Sequence, residues 1–137
     1  MSDRYICLVD DDKDDIFLMS RSLRRLATNA SMQFEVSAFH SGQDAYSFFR
    51  QIEPERSRLP DCICLDVNMP GIDGIELLKL LRGMLHLADV PIYIVSTTTS
   101  QKLREQALTL GANGTFTKPD TMADMQAMHR QLLGIPD

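Results

Sequence analysis

Asp10, Asp11 and Asp12 follow directly on one apolar run, and Asp66 follows another. Ser96 and Thr97 close a third run, and Lys118-Pro119 a fourth. Carboxylates brought together repel each other, and the repulsion is relieved by raising one pKa or by binding a hard cation. An all-oxygen ligand set suits Mg²⁺, which keeps several waters and takes one or two carboxylates. A lysine supplies a second positive charge, and a serine hydroxyl donates to an incoming anion. An acidic nucleophile, a divalent cation, a lysine and a hydroxyl together suit phosphoryl transfer.

Each of these residues also has an ordinary structural use. Asp12 or Asp14 suits a helix N-cap. Asp66, before Asn68-Met69-Pro70-Gly71, suits turn chemistry. Ser96 and Thr97 suit the cap of a following helix, and Lys118 suits a solvated surface. What favours chemistry is that all four groups stand where an apolar run ends.

Those runs are the elements that must position them. Tyr5-Ile6-Cys7-Leu8-Val9 and Cys62-Ile63-Cys64-Leu65 are continuously apolar, as in strands buried on both faces. Phe34, Val36 and Ala38 alternate with polar neighbours. Pro91 opens Ile92-Tyr93-Ile94-Val95, and Thr115-Phe116-Thr117 is a short last strand. Between them, helical spacing relates Ile16, Met19, Leu23 and Leu26, then Ala45, Phe48, Phe49 and Ile52. It also relates Ile75, Leu78, Leu81 and Leu85, then Leu103, Ala107 and Leu110, with Gly111 as terminator. Met122, Met125, Met128 and Leu132 form a last stripe, read as core. Five strands alternating with five helices predict an α/β domain with a parallel sheet. In such sheets the ligand site lies outside the carboxyl ends of the strands, where the polar residues above fall.

Length and composition narrow the classes further. A chain of 137 residues and 15.5 kDa suits one domain, and it needs no disulfide or metal staple to complete its core. Residues 1–137 are therefore read as a single domain without an output module. The net charge of −5 argues against a phosphate-backbone footprint, so no nucleic-acid partner is expected. No apolar run approaches the roughly 18–20 residues of a membrane span, and the N-terminus lacks a signal-peptide pattern. The three cysteines read as buried hydrophobes in a reducing, cytoplasmic setting, and scattered His40, His86 and His129 offer no zinc ligand set. The charge is uneven. Residues 10–15 hold five acids and one base, a net of −4, which leaves −1 for the rest of the chain.

Val9-Asp10-Asp11, Leu65-Asp66-Val67-Asn68-Met69-Pro70-Gly71-Ile72-Asp73-Gly74, Val95-Ser96-Thr97 and Gly111-Ala112-Asn113-Gly114-Thr115-Phe116-Thr117-Lys118-Pro119 resemble response-regulator receiver domains of the CheY type. The resemblance runs from about Arg4 to Leu133. It implies a doubly wound, flavodoxin-like (βα)5 fold with strand order 2-1-3-4-5. It also implies that Asp66 accepts a phosphoryl group from a sensor histidine kinase or phosphotransfer protein. Asp11 would be the direct Mg²⁺ ligand, Asp10 its neighbour on the metal, and Asn68 a contributor through its backbone carbonyl. Ser96 would hydrogen-bond the phosphoryl oxygen, and Lys118 would pair with that oxygen and with Asp66. In the family the Lys-Pro bond is usually cis, which extends to Lys118-Pro119.

The output would be a phosphorylation-dependent contact with a downstream protein. Homodimerisation through the fourth helix, fifth strand and fifth helix is a family habit. One position departs from the pattern: the aromatic switch three residues before the lysine is Thr115, and Phe116 points to the opposite strand face. Output is therefore expected to rely on backbone and loop shifts after Ser96. Uncharged Asn68 and Thr98 predict a short to intermediate acyl-phosphate lifetime. The stretch from Gln51 to Pro60 and the Val95-Ser96-Thr97 ending are similar to single-domain regulators that work with phytochrome-type kinases.

Two other functions set the tests. A phosphatase of the haloacid-dehalogenase type needs an Asp-x-Asp nucleophile after the first strand and a cap domain. An interaction module that is never phosphorylated would not need Asp10, Asp11, Asp66, Ser96 and Lys118 together.

Overall fold

The apolar runs assemble into one parallel sheet, and the helical stripes cover its two faces. The computed structural model describes residues 2–97 and 100–136. The chain runs β1 (Arg4–Val9), α1 (Lys13–Asn29), β2 (Phe34–Phe39), α2 (Gly42–Gln51), β3 (Cys62–Leu65), α3 (Gly74–Arg82), β4 (Ile92–Ser96), α4 (Gln101–Thr109), β5 (Gly114–Thr117) and α5 (Met122–Leu133). The strand order is β2-β1-β3-β4-β5, and every pairing is parallel. This is the flavodoxin-like α/β fold.

Period-two alternation divides the strand residues between two cores. Tyr5, Cys7, Val9, Ile63, Leu65, Ile92 and Ile94 face Phe49 of α2 and Leu77, Leu78 and Leu81 of α3. Ile6, Leu8, Cys62, Cys64 and Val95 face α1 and the Met125, Met128 and Leu132 stripe of α5. Each fully buried leucine contributes about 1.5–3 kcal/mol. All three cysteines are buried free thiols. Between α1 and α5 lies a polar pair, Ser22 Oγ and His129 Nδ1 at 2.7 Å.

Helix boundaries follow local chemistry. Asp12, Ser41, Asp73, Ser100 and Thr121 are N-caps whose side chains accept backbone N–H bonds. Thus Asp12 caps α1, while Ser100, rather than Ser96 or Thr97, caps α4. Helix α4 ends in a Schellman motif: Ala112 N donates to Ala107 O (2.9 Å) and Gly111 N to Leu108 O (3.1 Å), with Gly111 at φ +104°.

Two expectations are corrected. Leu85 does not extend α3: the helix stops at Arg82, before Gly83, and Leu85 lies in a separate 3-10 turn, Leu85–Leu87, 94% exposed. The cause is the low helix propensity of Gly83. The Lys118–Pro119 bond is trans, as are all peptide bonds among the described residues. Trans is the lower-energy X-Pro isomer, and Lys118 reaches its carboxylate partners from it.

At the amino ends of the strands the polar groups close on one another. Arg82 donates from Nε to Gly111 O (2.9 Å), from Nη1 to Leu87 O (2.9 Å) and from Nη2 to Asn113 Oδ1 (2.8 Å). Asn113 Oδ1 also accepts from Ile92 N. Asp61 Oδ2 accepts from Tyr5 N (2.7 Å) and from Arg58 Nη2 (3.2 Å).

Candidate functional site

Strand register brings the predicted residues together. Val9 lies beside Leu65 and Leu65 beside Ile94, so the residues just past them meet at the carboxyl edge. Backbone bonds continue the ladder into the site. Asp10 N donates to Phe39 O (3.0 Å), Asp66 N to Val9 O (2.9 Å) and Lys118 N to Ser96 O (2.9 Å). The backbones of these three residues are thereby fixed where their side chains leave the sheet.

Asp10, Asp11 and Asp66 each offer a carboxylate oxygen within 4.8 Å of the others. Asp10 and Asp66 are buried, at 1% and 6% exposure, and Asp11 is exposed. Asp10 Oδ1 accepts from Asp12 N (3.0 Å). Asp10 Oδ2 is buried without an aligned hydrogen bond among the described residues, although the Lys118 ammonium stands 2.7 Å away. Burial, and then the charge of Asp10, push the Asp66 carboxyl up to about 6. The Lys118 charge and hydrogen bonds from Ser96 and the Val67 N–H oppose that rise. Burial raises Asp10 as well, against the pull of Lys118. Three crowded oxygen donors, one lacking a hydrogen bond, fit a hard divalent cation open to solvent on the Asp11 side.

Lys118 is the cation already in place. Its Nζ lies 2.6 Å from Asp15 Oδ2, 2.7 Å from Asp10 Oδ2 and 3.6 Å from Asp66 Oδ1. Burial works against its charge, yet the contacts with Asp10 and Asp15 hold its pKa above the usual lysine range. Ser96 is fully buried at the end of β4. Asp10, Asp11, Asp15 and Asp66 against one ammonium leave the cluster formally at −3.

The segment from Val67 to Gly74 folds back on the acceptor edge. Met69 is buried in the core, while Asn68 stays exposed. Gly74 N donates to Val67 O (3.0 Å). A Cβ at Gly74 would collide with the Asp66 carbonyl oxygen, so only glycine lets α3 start this close to the site. Asp73 caps α3 through Glu76 N (2.9 Å). On β5, Thr115 pairs with Ile94, whereas Phe116 packs on the opposite face against Tyr93, with ring centroids 6.0 Å apart. Thr98 lies outside the described residues.

Sequence reasoning missed Asp15. It stands in the first turn of α1, and its partner Lys118 is 103 residues away, so no local pattern links them. The concentration of acids at residues 10–15 was the only signal.

Comparison with known proteins agrees with this geometry. Residues 6–130 match the response regulator receiver domain family. The chain is 34% identical over 133 residues to the transcriptional regulatory protein PrrA of Mycobacterium leprae, covering 97% of this chain and 51% of PrrA. It therefore spans about half the length of that curated relative. The crystal structure of the phosphorylated cyanobacterial phytochrome response regulator RcpA superposes with a TM-score of 0.81 at 27% identity, covering 98% of this chain and 96% of RcpA. The Mn²⁺-bound form of response regulator Rcp1 superposes with a TM-score of 0.77 at 27% identity, covering 96% of this chain and 91% of Rcp1. Among the described residues, no helix is long and apolar enough to cross a membrane.

Proposed function

This chain belongs to the response regulator receiver domain family of two-component signalling, and from that premise we propose that Asp66 is its phosphoacceptor. Receiver domains bind Mg²⁺ or Mn²⁺ at an acidic pocket, and Asp10, Asp11, Asp66 and the Asn68 carbonyl would hold Mg²⁺ here. Bound there, the ion neutralises charge on the transferred group. The observation that carries the reading is the Asp66 carboxylate itself. It is buried among Asp10, Asp11, Ser96 and Lys118 at the carboxyl edge of the sheet.

The chain's own residues divide the work. An Asp66 oxygen attacks the phosphorus of a phosphohistidine on a sensor kinase or phosphotransfer protein. The P–N bond breaks, and its electrons and a proton go to the imidazole. Ser96 and Lys118 then turn to the new phosphoryl oxygens, Lys118 from its place beside Asp10 and Asp15. Their shift would carry the signal to a downstream protein through β4, β5 and the loop between Ser96 and α4, without an aromatic at Thr115. The chain performs only its own phosphorylation and dephosphorylation, and residues 1–137 act as one receiver unit. Buried free thiols support a cytoplasmic setting, and likeness to RcpA makes a phytochrome-type kinase the first donor to try. A self-association face on α4, β5 and α5 is supported by α4 burying only Ala107 and leaving Leu108 52% exposed.

Incubation with acetyl phosphate and Mg²⁺ tests the acceptor. Intact-mass analysis should show one added phosphoryl group, lost in Asp66→Ala. An unchanged wild-type mass, or equal labelling of the variant, overturns the assignment. Sedimentation with and without beryllium fluoride tests the self-association face.

A further inference from the structure

Asp15 makes the shortest ion pair in the site, yet the transfer described above makes no use of it. Lys118 Nζ has contacts of hydrogen-bond length with Asp15 Oδ2 (2.6 Å) and Asp10 Oδ2 (2.7 Å). Asp66 Oδ1, at 3.6 Å, is out of hydrogen-bond reach. The ammonium thus rests on the two carboxylates that are not the acceptor. Asp15 is also firmly placed. It lies in the first turn of α1, its backbone N–H donates to the Asp12 cap (3.3 Å), and the next residue, Ile16, is buried in the core. Asp15 lies outside the cluster of carboxylates suited to the cation.

We propose that Asp15 is a positioning residue that holds Lys118 in a resting place away from Asp66, so that phosphorylation has to draw the ammonium off it. The inference rests on Asp66 being the acceptor. A phosphoryl group brings negative charge to Asp66, and the lysine must give up one short contact to meet it. Asp15 therefore opposes the activated arrangement, and its strength sets how readily that arrangement forms. The Asp15 side chain is 29% exposed, so solvent screens the pair and the hold is moderate.

The neighbouring Asp14 supplies the control. It stands in the same first turn, carries the same charge, is exposed, and pairs with no cation among the described residues. Binding of beryllium fluoride with Mg²⁺ to the full chain, followed by ¹⁹F NMR, reads the activated arrangement. Asp15→Asn should bind about fivefold more tightly than wild type. Asp14→Asn should stay within about twofold, and Asp15→Glu should return to near the wild-type value. Mg²⁺ affinity measured calorimetrically in both Asn variants removes the shared effect of losing one nearby charge. A metal-free crystal structure of Asp15→Asn should show Lys118 Nζ within hydrogen-bond distance of Asp66. Equal beryllium fluoride affinity in the two Asn variants, or weaker binding by Asp15→Asn, overturns the role of Asp15 alone. Wild-type protein that binds no beryllium fluoride overturns the acceptor reading, and this inference with it.

Discussion

The two ends of the sheet handle charge in opposite ways. At the amino edge, Arg82 spends its donors on two carbonyls and an amide, and Asn113 and Asp61 each accept twice. Every one of these groups has a neutral or opposite partner. At the carboxyl edge, four carboxylates gather around one ammonium that pairs with three of them, and one buried oxygen lacks an aligned hydrogen bond among the described residues. The balanced edge contributes stability, and the unbalanced edge stays ready for a cation and a phosphoryl group. A strained pKa such as that of Asp66, about 6, belongs to the second kind of edge.

Replacing the acceptor is the strongest way to break this contrast. Asp66→Asn should abolish phosphoryl incorporation by intact mass and raise the thermal midpoint, because a like charge leaves a buried cluster. A lowered midpoint would mean that the edge is balanced after all.

Acid sharpens the comparison, because two buried groups respond with opposite sign. Burial lowers His129 to about 4, below its ordinary 6.5, so the unfolded chain takes up its proton first. That contribution is full above 6.5 and is lost as pH falls toward 4, roughly 3 kcal/mol. Asp66 is raised from 3.8 to about 6, so here the folded chain protonates first and gains stability over nearly the same window, by a similar roughly 3 kcal/mol. In metal-free wild type the two offset. In Asp66→Asn the Asp66 gain is gone, and urea unfolding at pH 7 and pH 4 should show a drop about 3 kcal/mol larger than in wild type.

Removing the clamp at the amino edge comes next. Arg82→Ala should cost about 2 kcal/mol in urea unfolding while leaving labelling of Asp66 intact. The smallest effect is expected of Gly111→Ala, at about 1 kcal/mol. Its φ of +104° is strained for alanine, and the new methyl would meet the Arg82 side chain at 3.2 Å. Changed Mg²⁺ affinity in either variant would show that the two edges are coupled.

The carboxyl edge was legible because parallel strands buried on both faces announce their own ends: after Val9 and Leu65 the first polar residues are Asp10 and Asp66. The amino edge was not legible. Arg82 and Asn113 are 31 residues apart, and nothing in either segment signals the other. The same reason hid the Asp15–Lys118 pair. Leu85 misled because it continues a stripe that Gly83 interrupts. The isomer at Pro119 misled because its local energy difference is small, about 0.5–1 kcal/mol, and a family habit stood in for it.

The split of the strand residues between two cores also gives the chain internal clocks. Cys7 lies under the α2–α3 layer, whereas Cys62 and Cys64 lie under α1 and α5. Burial holds the Cys7 thiol up at about 12, and the Cys62 contact, followed by burial, raises Cys64, so neither reacts while its layer is closed. Alkylation can proceed only when a layer lifts, and peptide mapping tells the layers apart. Cys7 labelling therefore times the opening of one helical face and Cys62 and Cys64 labelling the other. Equal rates would describe a single cooperative unfolding unit, and unequal rates two foldons meeting at the sheet.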